Sequence, residues 1–514
     1  MSFEDRVSGP LLLACAALLT LVSACRSRPA PTLASPTPTS TVTPTPPPPP
    51  AWQTPDYYRP AMLASSVDDL TLVLSPTFYH IESYVDIAGQ PPRVYAIQDV
   101  HYTNRSGSPL DSVYFRLWPN KASFGSTLTF EEVGVDGQEV ELDYQAERTA
   151  VGLRLPQPLP AGQAIDIHME YDVTVPLGDA PGYGTFEYQD GILVLSDFFP
   201  IVAVCESGVW SLDLVPDYGD PVYAESSLFA VEVTVPSPMV VVTTGSTVDK
   251  RQNADGTVTW VSISGPARSF MVSMSERFQS SSLAVGYVRV NSYYLQEDRQ
   301  AGEQALGYAR DALRAYQQSF APYPFAEFDV VEASLIGGAM EYPGLIVISR
   351  EHYKSGGEYL EFLVAHEVAH QWWYNVVGND QINVPWLDES LTNFSTFYYY
   401  ESTYGVDRAD MALQTYVARS YEQFRNSGRN GVVNRPVEAF EPSEYGPLVY
   451  GKGALFFHAL RKEIGDETML EVLQAYYEDR KYKLATPQDL LRVAEQVSGR
   501  DLDGLYEEWM LSAQ

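Results

Sequence analysis

The chain has 514 residues, of which 45% are hydrophobic and 19% are charged. At about 100–200 residues per domain, this length allows about two to four domains with a large buried core, which excludes wholesale disorder. The 33 Lys and Arg residues against 66 Asp and Glu residues give a formal charge of −33. Because such an acidic protein repels a phosphate backbone, we expect no nucleic-acid partner. The acidity is typical of a soluble surface.

The N-terminus has the pattern of a secretory signal. Residues 11–22 form one apolar run, LLLACAALLTLV, which is too short to span a bilayer core of about 30 Å but suits the apolar region of a signal. The run Val22-Ser23-Ala24-Cys25 resembles the lipobox of bacterial lipoproteins, whose cysteine carries the lipid. We predict a lipoprotein signal peptide at 1–24, lipidation of Cys25 and an extracytoplasmic, membrane-anchored lipoprotein. The alternative is an ordinary signal peptide with an incidental cysteine.

The next segment is rich in proline and threonine. Residues 29–50 read PAPTLASPTPTSTVTPTPPPPP, and proline lacks the N–H that helices and sheets need. Such a segment stays extended and acts as a stiff spacer. Residues 25–55 are therefore predicted to be the lipid anchor and its linker.

An antiparallel β domain is predicted for residues 56–280. Short runs with alternating apolar and polar residues recur there, for example at 94–97, 113–117, 165–169 and 231–235. The sequence Val135-Asp136-Gly137-Gln138 predicts a hairpin turn between two such runs.

Residues 281–514 have the pattern of an α+β domain with a mainly helical C-terminal part. Leu306, Ala309, Leu313, Tyr316 and Phe320 recur at helical spacing. Short strands are predicted at 330–331 and 345–348, on either side of a glycine-rich turn. Further helices are predicted from about 355 to 374 and from about 388 to 404, the latter closed by a glycine at 405.

A metal-binding pattern lies in the first of these two helices. Residues 366–370 read HEVAH, and two histidines four residues apart on a helix share one face. Glu389 follows at the start of the next predicted helix and can supply the third ligand of a catalytic Zn²⁺ site, which keeps one position open for water. We predict that His366, His370 and Glu389 bind one Zn²⁺ and that Glu367 is the general base. The alternative is two metal-free core histidines.

The residues around this pattern resemble the M1 family of zinc metallo-aminopeptidases, a gluzincin family. The run HEVAHQWWYNVVGND…WLDES, from His366 to Ser390, is similar to the zinc motif of that family. Upstream, residues 337–342 (GGAMEY) are similar to its G-x-M-E-N motif, and downstream, residues 450–453 (YGKG) are similar to its Y-x-K-G segment. The chain is thus identified as a short, bacterial lipoprotein form, and the resemblance implies a thermolysin-like catalytic domain.

The resemblance also implies roles for individual residues. Glu341 would bind the free α-ammonium group of a peptide, and Tyr450 would donate a hydrogen bond to the oxyanion. Gly338, Ala339 and Met340 would line the strand edge along which the substrate backbone lies. The implied function is hydrolysis of the N-terminal peptide bond of peptides that have a free N-terminus.

Two sequence features leave alternatives open. Tyr342 replaces the asparagine of the family motif, which puts the preference for the first residue in doubt. Asn393, one turn after Glu389, either orients that ligand or is an ordinary helix-surface amide. The alternatives to an aminopeptidase are a zinc endopeptidase of related fold and a non-catalytic, surface-displayed peptide-binding lipoprotein.

Overall fold

The computed structural model describes residues 48–178, 185–214, 217–220 and 222–513. The predicted signal peptide, Cys25 and most of the 25–55 linker lie outside the described residues. Among the helices that the structure does describe, none is both long and apolar enough to cross a bilayer. The predicted boundaries at residues 24, 55 and 280 stay predictions.

The N-terminal half consists mainly of strands, as predicted. The strands up to residue 295 are β1 Phe78–Asp86, β2 Arg93–Thr103, β3 Leu110–Arg116, β4 Thr127–Val135, β5 Gln138–Glu139, β6 Leu142–Gln145, β7 Ala150–Leu159, β8 Ala164–Thr174, β9 Phe186–Gln189, β10 Ile192–Ser196, β11 Ile201–Val202, β12 Cys205–Glu206, β13 Val209–Trp210, β14 Leu228–Pro236, β15 Val240–Thr243, β16 Ser246–Gln252, β17 Thr257–Ile263, β18 Met271–Ser275, β19 Phe278–Val285 and β20 Val288–Leu295.

The largest sheet has eight strands in the order β16-β17-β14-β1-β2-β8-β4-β5. Its strands pair antiparallel except β1 and β14, which are parallel. Buried and more exposed residues alternate along β2 and β8, so one face of the sheet packs on the core. The predicted hairpin is confirmed: Val135 pairs with Gln138, and φ is +48° at Asp136 and +75° at Gly137, as a two-residue turn requires.

Three smaller sheets complete this half. Two have four strands, in the orders β11-β3-β7-β6 and β15-β18-β10-β9, and β12 pairs with β13. β19 and β20 belong instead to a five-stranded mixed sheet of the C-terminal half, in the order β19-β20-β21-β23-β22. Its other strands are β21 Glu327–Ala333, β22 Ala339–Tyr342 and β23 Leu345–Ser349. The short strand β22 is therefore an edge strand.

The rest of the C-terminal half is mainly helical. Its α-helices are α1 Arg299–Ser319, α2 Arg350–Ser355, α3 Glu358–Ala369, α4 Trp386–Tyr404, α5 Val406–Ala412, α6 Arg419–Asn426, α7 Pro442–Tyr445, α8 Gly453–Ile464, α9 Asp466–Arg480, α10 Pro487–Ser498 and α11 Asp503–Tyr506. π-helical turns lie at Leu413–Ala418, Gly446–Lys452 and Glu507–Leu511. Short 3-10 helices lie at Ala51–Gln53, Pro55–Ala61, Val67–Thr71, Trp118–Asn120, Ala122–Phe124, Ala146–Arg148, Gln296–Asp298 and Val437–Ala439.

The predicted helices are present, with one correction. α4 ends at Gly405, whose φ is +90° and whose N–H donates to Glu401 O, as predicted. The helix predicted from about 355 to 374 is the shorter helix α3, which Gly356 and Gly357, at φ +60° and +87°, separate from α2. α3 ends at Ala369, because the chain then turns sharply and Tyr374 has a φ of +141°.

The two halves share packing and hydrogen bonds. Arg268, fully buried on the N-terminal side, donates to the carbonyl oxygens of Ala224, Tyr374, Val376 and Lys483. Burial lowers the pKa of Arg268 to about 10, so its guanidinium stays charged at neutral pH. One side chain thus ties the N-terminal half to the turn that follows α3.

The first described segment also packs on the C-terminal half. Tyr58, Met62 and Leu70 belong to the same buried cluster as the side chains of α1, α3 and α4. Asp69 lies 2.8 Å from Lys481 Nζ and accepts a hydrogen bond from the Tyr482 hydroxyl at 2.9 Å.

Candidate metal centre

Three side chains of α3 and α4 converge on one point. His366 lies in the last turn of α3, His370 is its C-cap residue, and Glu389 lies in the first turn of α4. The two Nε2 atoms are 3.2 Å apart, and Glu389 Oε2 lies 3.2 Å from His366 Nε2 and 3.4 Å from His370 Nε2. All three side chains are buried. We call these three residues the metal triad.

Hydrogen bonds on the far side of each ring set the orientation of the two imidazoles. His370 Nδ1 lies 3.0 Å from Trp373 O, and His366 Nδ1 lies 2.8 Å from Asn393 Oδ1. A carbonyl oxygen can only accept, so each Nδ1 carries the proton and each Nε2 presents a lone pair. Two lone pairs and a carboxylate oxygen therefore face one another.

A cation suits this arrangement. Among the described residues, Glu389 Oε2 has no hydrogen-bond partner although it is buried. Burial opposes charge on His370, but Glu341 and Glu389 outweigh it and hold its pKa well above the usual range, so its Nε2 lone pair binds either a proton or, in place of the proton, a metal ion. The surplus of acceptors and negative charge fits Zn²⁺, whose usual ligands are imidazole and carboxylate.

Glu367 lies beside the triad. Its side chain is buried, and within the described part of the chain its Oε2 atom has no hydrogen-bond partner. Carboxylate oxygens of Glu367 and Glu341 and a nitrogen of His370 lie within 4.8 Å of one another. Burial, and then the charge of Glu341, raise the pKa of Glu367 well above its usual range.

A second acidic group adjoins the triad. Glu341 lies on the edge strand β22, and oxygens of Glu341, Glu389 and Asp220 lie within 4.8 Å of one another. Gln381 Nε2 donates to Glu341 Oε1 at 3.0 Å and to Asp388 Oδ2 at 2.7 Å. We call Glu341 and Asp220 the acidic pair.

Asp220 was not predicted from the sequence. It lies in the connection between β13 and β14, where neither spacing nor a motif links it to the metal triad. Burial, and then Glu341 and Glu389, raise the pKa of Asp220 well above its usual range. Within the described residues, neither Asp220 nor Glu341 forms an ion pair with Lys or Arg.

The remaining predicted substrate residues lie on or before β22. Gly338 has a φ of +125°, and a Cβ there would lie 3.6 Å from Leu363 Cδ2, so the loop passes close over α3. Ala339 and Met340 are half-buried, and the sheet order ends at their strand. The opposite edge of β22 is thus unpaired in the described structure.

The comparisons with known proteins agree with this geometry. Residues 304–509 match the family model described as the peptidase family M1 domain. We call residues 304–509 the M1 segment. The whole metal triad and Glu341 lie within it, whereas Asp220 lies outside it.

Two curated relatives match part of the chain. Aminopeptidase N of Lactococcus lactis subsp. lactis is 26% identical over 222 residues, which are 40% of this chain and 26% of the relative. Aminopeptidase M1 of Arabidopsis thaliana is 27% identical over 236 residues, which are 43% of this chain and 26% of the relative. The chain thus spans about a quarter of the length of these relatives.

Solved structures share the fold over most of the chain. An M1 zinc metallopeptidase from Deinococcus radiodurans has a TM-score of 0.62 and 19% identity, covering 85% of this chain and 92% of that one. A two-domain M1 zinc metallopeptidase mutant bound to L-arginine has a TM-score of 0.63 and 19% identity, covering 86% and 95%. The order of a β-rich N-terminal region and a helical C-terminal region is that of two-domain M1 structures.

Tyr450 of the M1 segment lies in the π-helical turn Gly446–Lys452. Its hydroxyl donates to Glu389 Oε1 at 2.5 Å, and its ring centroid is 6.1 Å from that of His366. Burial, and then the charge of Glu389, raise the pKa of Tyr450 well above its usual range, so the phenol keeps its proton.

The structure shows the surroundings of Asn393 and Tyr342, for which the sequence left alternatives open. Asn393 is buried, and among the described residues its side chain bonds to His366 Nδ1 and to Tyr450 O rather than to the Glu389 carboxylate, which corrects both interpretations. The Tyr342 ring packs in an apolar cluster with Ile192, Val242 and Met271. It thus points to the opposite side of β22 from Glu341.

Proposed function

We propose that this protein is a zinc-dependent aminopeptidase that hydrolyses the N-terminal peptide bond of peptides. The observation that carries the proposal is the acidic pair, Glu341 and Asp220, which lies beside the metal triad and forms no ion pair with Lys or Arg among the described residues. An α-ammonium group is the cation that a peptide brings to such a site. The relatives named aminopeptidase support the same activity.

The position of the acidic pair explains why cleavage is limited to the first bond. An anionic anchor at a fixed distance from the reacting carbonyl holds a substrate with its first peptide bond at the metal. A chain interior has no ammonium group to place there. An endopeptidase needs no such anchor.

The proposed mechanism assigns a task to each residue. His366, His370 and Glu389 hold Zn²⁺, which when bound polarises the scissile carbonyl. Glu367 takes a proton from the attacking water and gives it to the leaving amine. The Tyr450 hydroxyl turns from Glu389 Oε1 to donate to the oxyanion.

The substrate backbone would pair with the open edge of β22. Gly338, Ala339 and Met340 present backbone groups there, and two of the three have small side chains that allow close approach. This pairing aligns the peptide with α3 while Glu341, on the same strand, holds its first residue.

The deciding experiment compares two reporters that differ only at the N-terminus. Zinc content is measured together with hydrolysis of a free and an N-acetylated aminoacyl reporter. We expect acetylation to abolish hydrolysis by the wild-type enzyme. Glu341→Ala should lower only the rate of hydrolysis of the free reporter. Equal cleavage of both reporters would indicate the endopeptidase, and a zinc-free protein without turnover would indicate the peptide-binding lipoprotein.

We further propose that the protein is extracytoplasmic and anchored to the membrane through a lipid on Cys25. The support is the sequence alone: the apolar run, the lipobox-like VSAC and the proline-rich spacer. In cells given a labelled fatty acid, the wild-type chain should take up label and sediment with membranes. A Cys25→Ser chain should take up none, and equal labelling of the two would contradict the anchor.

A further inference from the structure

The buried side chain of Asn393 joins two parts of the proposed active site. It lies one turn after Glu389 on α4, and its Oδ1 atom accepts from His366 Nδ1 at 2.8 Å. Its Nδ2 atom donates to the backbone carbonyl of Tyr450, also at 2.8 Å. One amide therefore contacts a metal-triad histidine and the residue that carries the phenol.

The direction of both bonds follows from chemistry. Tyr450 O can only accept, so the NH₂ group of Asn393 must face it and Oδ1 must face the imidazole. The amide thereby fixes the proton of His366 on Nδ1 and leaves the Nε2 lone pair for the metal. A hydrophobic residue can do neither, and a carboxylate can only accept.

A neighbouring hydrogen bond helps to separate the contact that Asn393 makes with the metal triad from its contact with the π-helical turn. Ser390, one turn earlier on α4, donates to Val449 O at 2.6 Å, so two successive carbonyls of the π-helical turn are held from α4. Gly453 permits this approach, because a Cβ there would lie 2.0 Å from Ser390 Oγ. Of these two anchors, Asn393 alone also reaches the metal triad.

We propose that Asn393 is a positioning residue that sets the zinc affinity through His366 and, separately, the placement of the Tyr450 hydroxyl. The proposal rests on the proposed aminopeptidase function. It assigns the two effects to different atoms of one side chain: Oδ1 governs the metal and Nδ2 governs Tyr450.

The test is the substitution Asn393→Asp in the full-length protein. An aspartate still accepts from His366 Nδ1 but cannot donate to Tyr450 O, and its charge repels that carbonyl. We expect the zinc Kd, measured by competition with a chromogenic chelator, to be within about threefold of wild type or tighter. The kcat should fall about 10- to 100-fold because Tyr450 is displaced, with KM little changed.

Two further variants complete the design. Asn393→Ala removes both bonds and should weaken zinc binding about 10- to 100-fold as well as lowering kcat. Ser390→Ala removes only the neighbouring anchor and should leave the zinc Kd at the wild-type value. If Nδ2 acts through Tyr450, the double variant Asn393→Asp with Tyr450→Phe should have a kcat no lower than that of Tyr450→Phe alone.

The outcomes decide between this inference and a purely structural amide. Equal loss of zinc affinity in Asn393→Asp and Asn393→Ala, or a wild-type kcat in Asn393→Asp, overturns the inference. Because the zinc titration needs no turnover, these results count against Asn393 alone when the wild-type protein is active. A wild-type protein without zinc or peptidase activity overturns the proposed function instead.

Discussion

The two halves of the molecule contribute unequally to the site. The C-terminal half supplies the whole metal triad from two packed helices, and the imidazoles are fixed through their Nδ1 atoms. The N-terminal half supplies one carboxylate, Asp220, from a connection between strands. The metal triad thus belongs to one half, whereas the acidic pair is complete only where the two halves meet.

The largest effect should come from the C-terminal half. Glu367→Gln keeps the shape of the side chain but cannot accept a proton, so kcat should fall about 10²- to 10⁴-fold. Zinc per chain, measured by mass spectrometry, should stay at the wild-type value because Glu367 is not a ligand. A variant that keeps more than a tenth of the wild-type kcat would contradict the role of Glu367 as base.

Disturbing the contact between the halves should lower the free energy of unfolding. Arg268→Lys leaves several of the four bonded carbonyls without a donor, so the free energy of unfolding should fall by about 2–4 kcal/mol. Denaturant titration measures this change. The matched control is Arg154→Lys, whose exposed pair with Glu141 should contribute less than about 1 kcal/mol. Equal stability of the two variants would contradict the joining role of Arg268.

Asp220→Asn and Glu341→Gln test one carboxylate from each half. Each replaces a carboxyl group that faces the ammonium group with an amide that cannot become negatively charged, so kcat/KM for the free-amine reporter should fall about 10- to 100-fold, the effect of about 1.5–3 kcal/mol. The zinc content should not change. Asp111→Asn, at an exposed position on β3, is the control. Wild-type kinetics in Asp220→Asn would confine substrate selection to the C-terminal half.

A pH dependence of stability belongs to the N-terminal half. Burial raises the pKa of Asp197 to about 7, and among the described residues its Oδ2 atom has no partner. The folded state therefore holds this proton more tightly than the unfolded state, and stability falls as the pH rises from about 4 to about 7, by at most about 1.4 kcal/mol per pH unit.

Asp197→Asn should reduce the loss of stability over this range, because an amide does not titrate, while Asp388 and Glu332, whose pKa values burial raises to about 7 and about 8, account for part of the remainder. Thermal denaturation at several pH values gives the comparison, with Asp111→Asn as the control that keeps the slope. If Asp197→Asn and the wild-type protein lose stability in parallel between pH 4 and pH 7, Asp197 does not titrate in the folded state as described.

The local features of the C-terminal half could be predicted from the sequence. The spacing of His366 and His370 places both on one face of a single helix, and α4 begins just before Glu389 as the pattern indicates. The helix end at Tyr374 was wrong, because the turn that follows α3 depends on Arg268, which lies far away in the sequence. A local pattern contains no information on such a contact.

The residues that come from distant segments could not be predicted in the same way. Asp220 reaches the site only because the two halves pack together, and no spacing relates it to the HEVAH motif. Asn393 could be suspected from its place one turn after Glu389, but its two partners depend on how α3, α4 and the π-helical turn meet. The roles of Gly338, Ala339, Met340 and Tyr450 stay predictions.

The most direct test of the account is the zinc stoichiometry of the purified protein and of His370→Ala, measured by mass spectrometry after dialysis. We predict one Zn²⁺ per wild-type chain and none retained by His370→Ala, which should remain folded by circular dichroism. Equal zinc in the two proteins, or none in the wild type, would contradict a metal held by His366, His370 and Glu389.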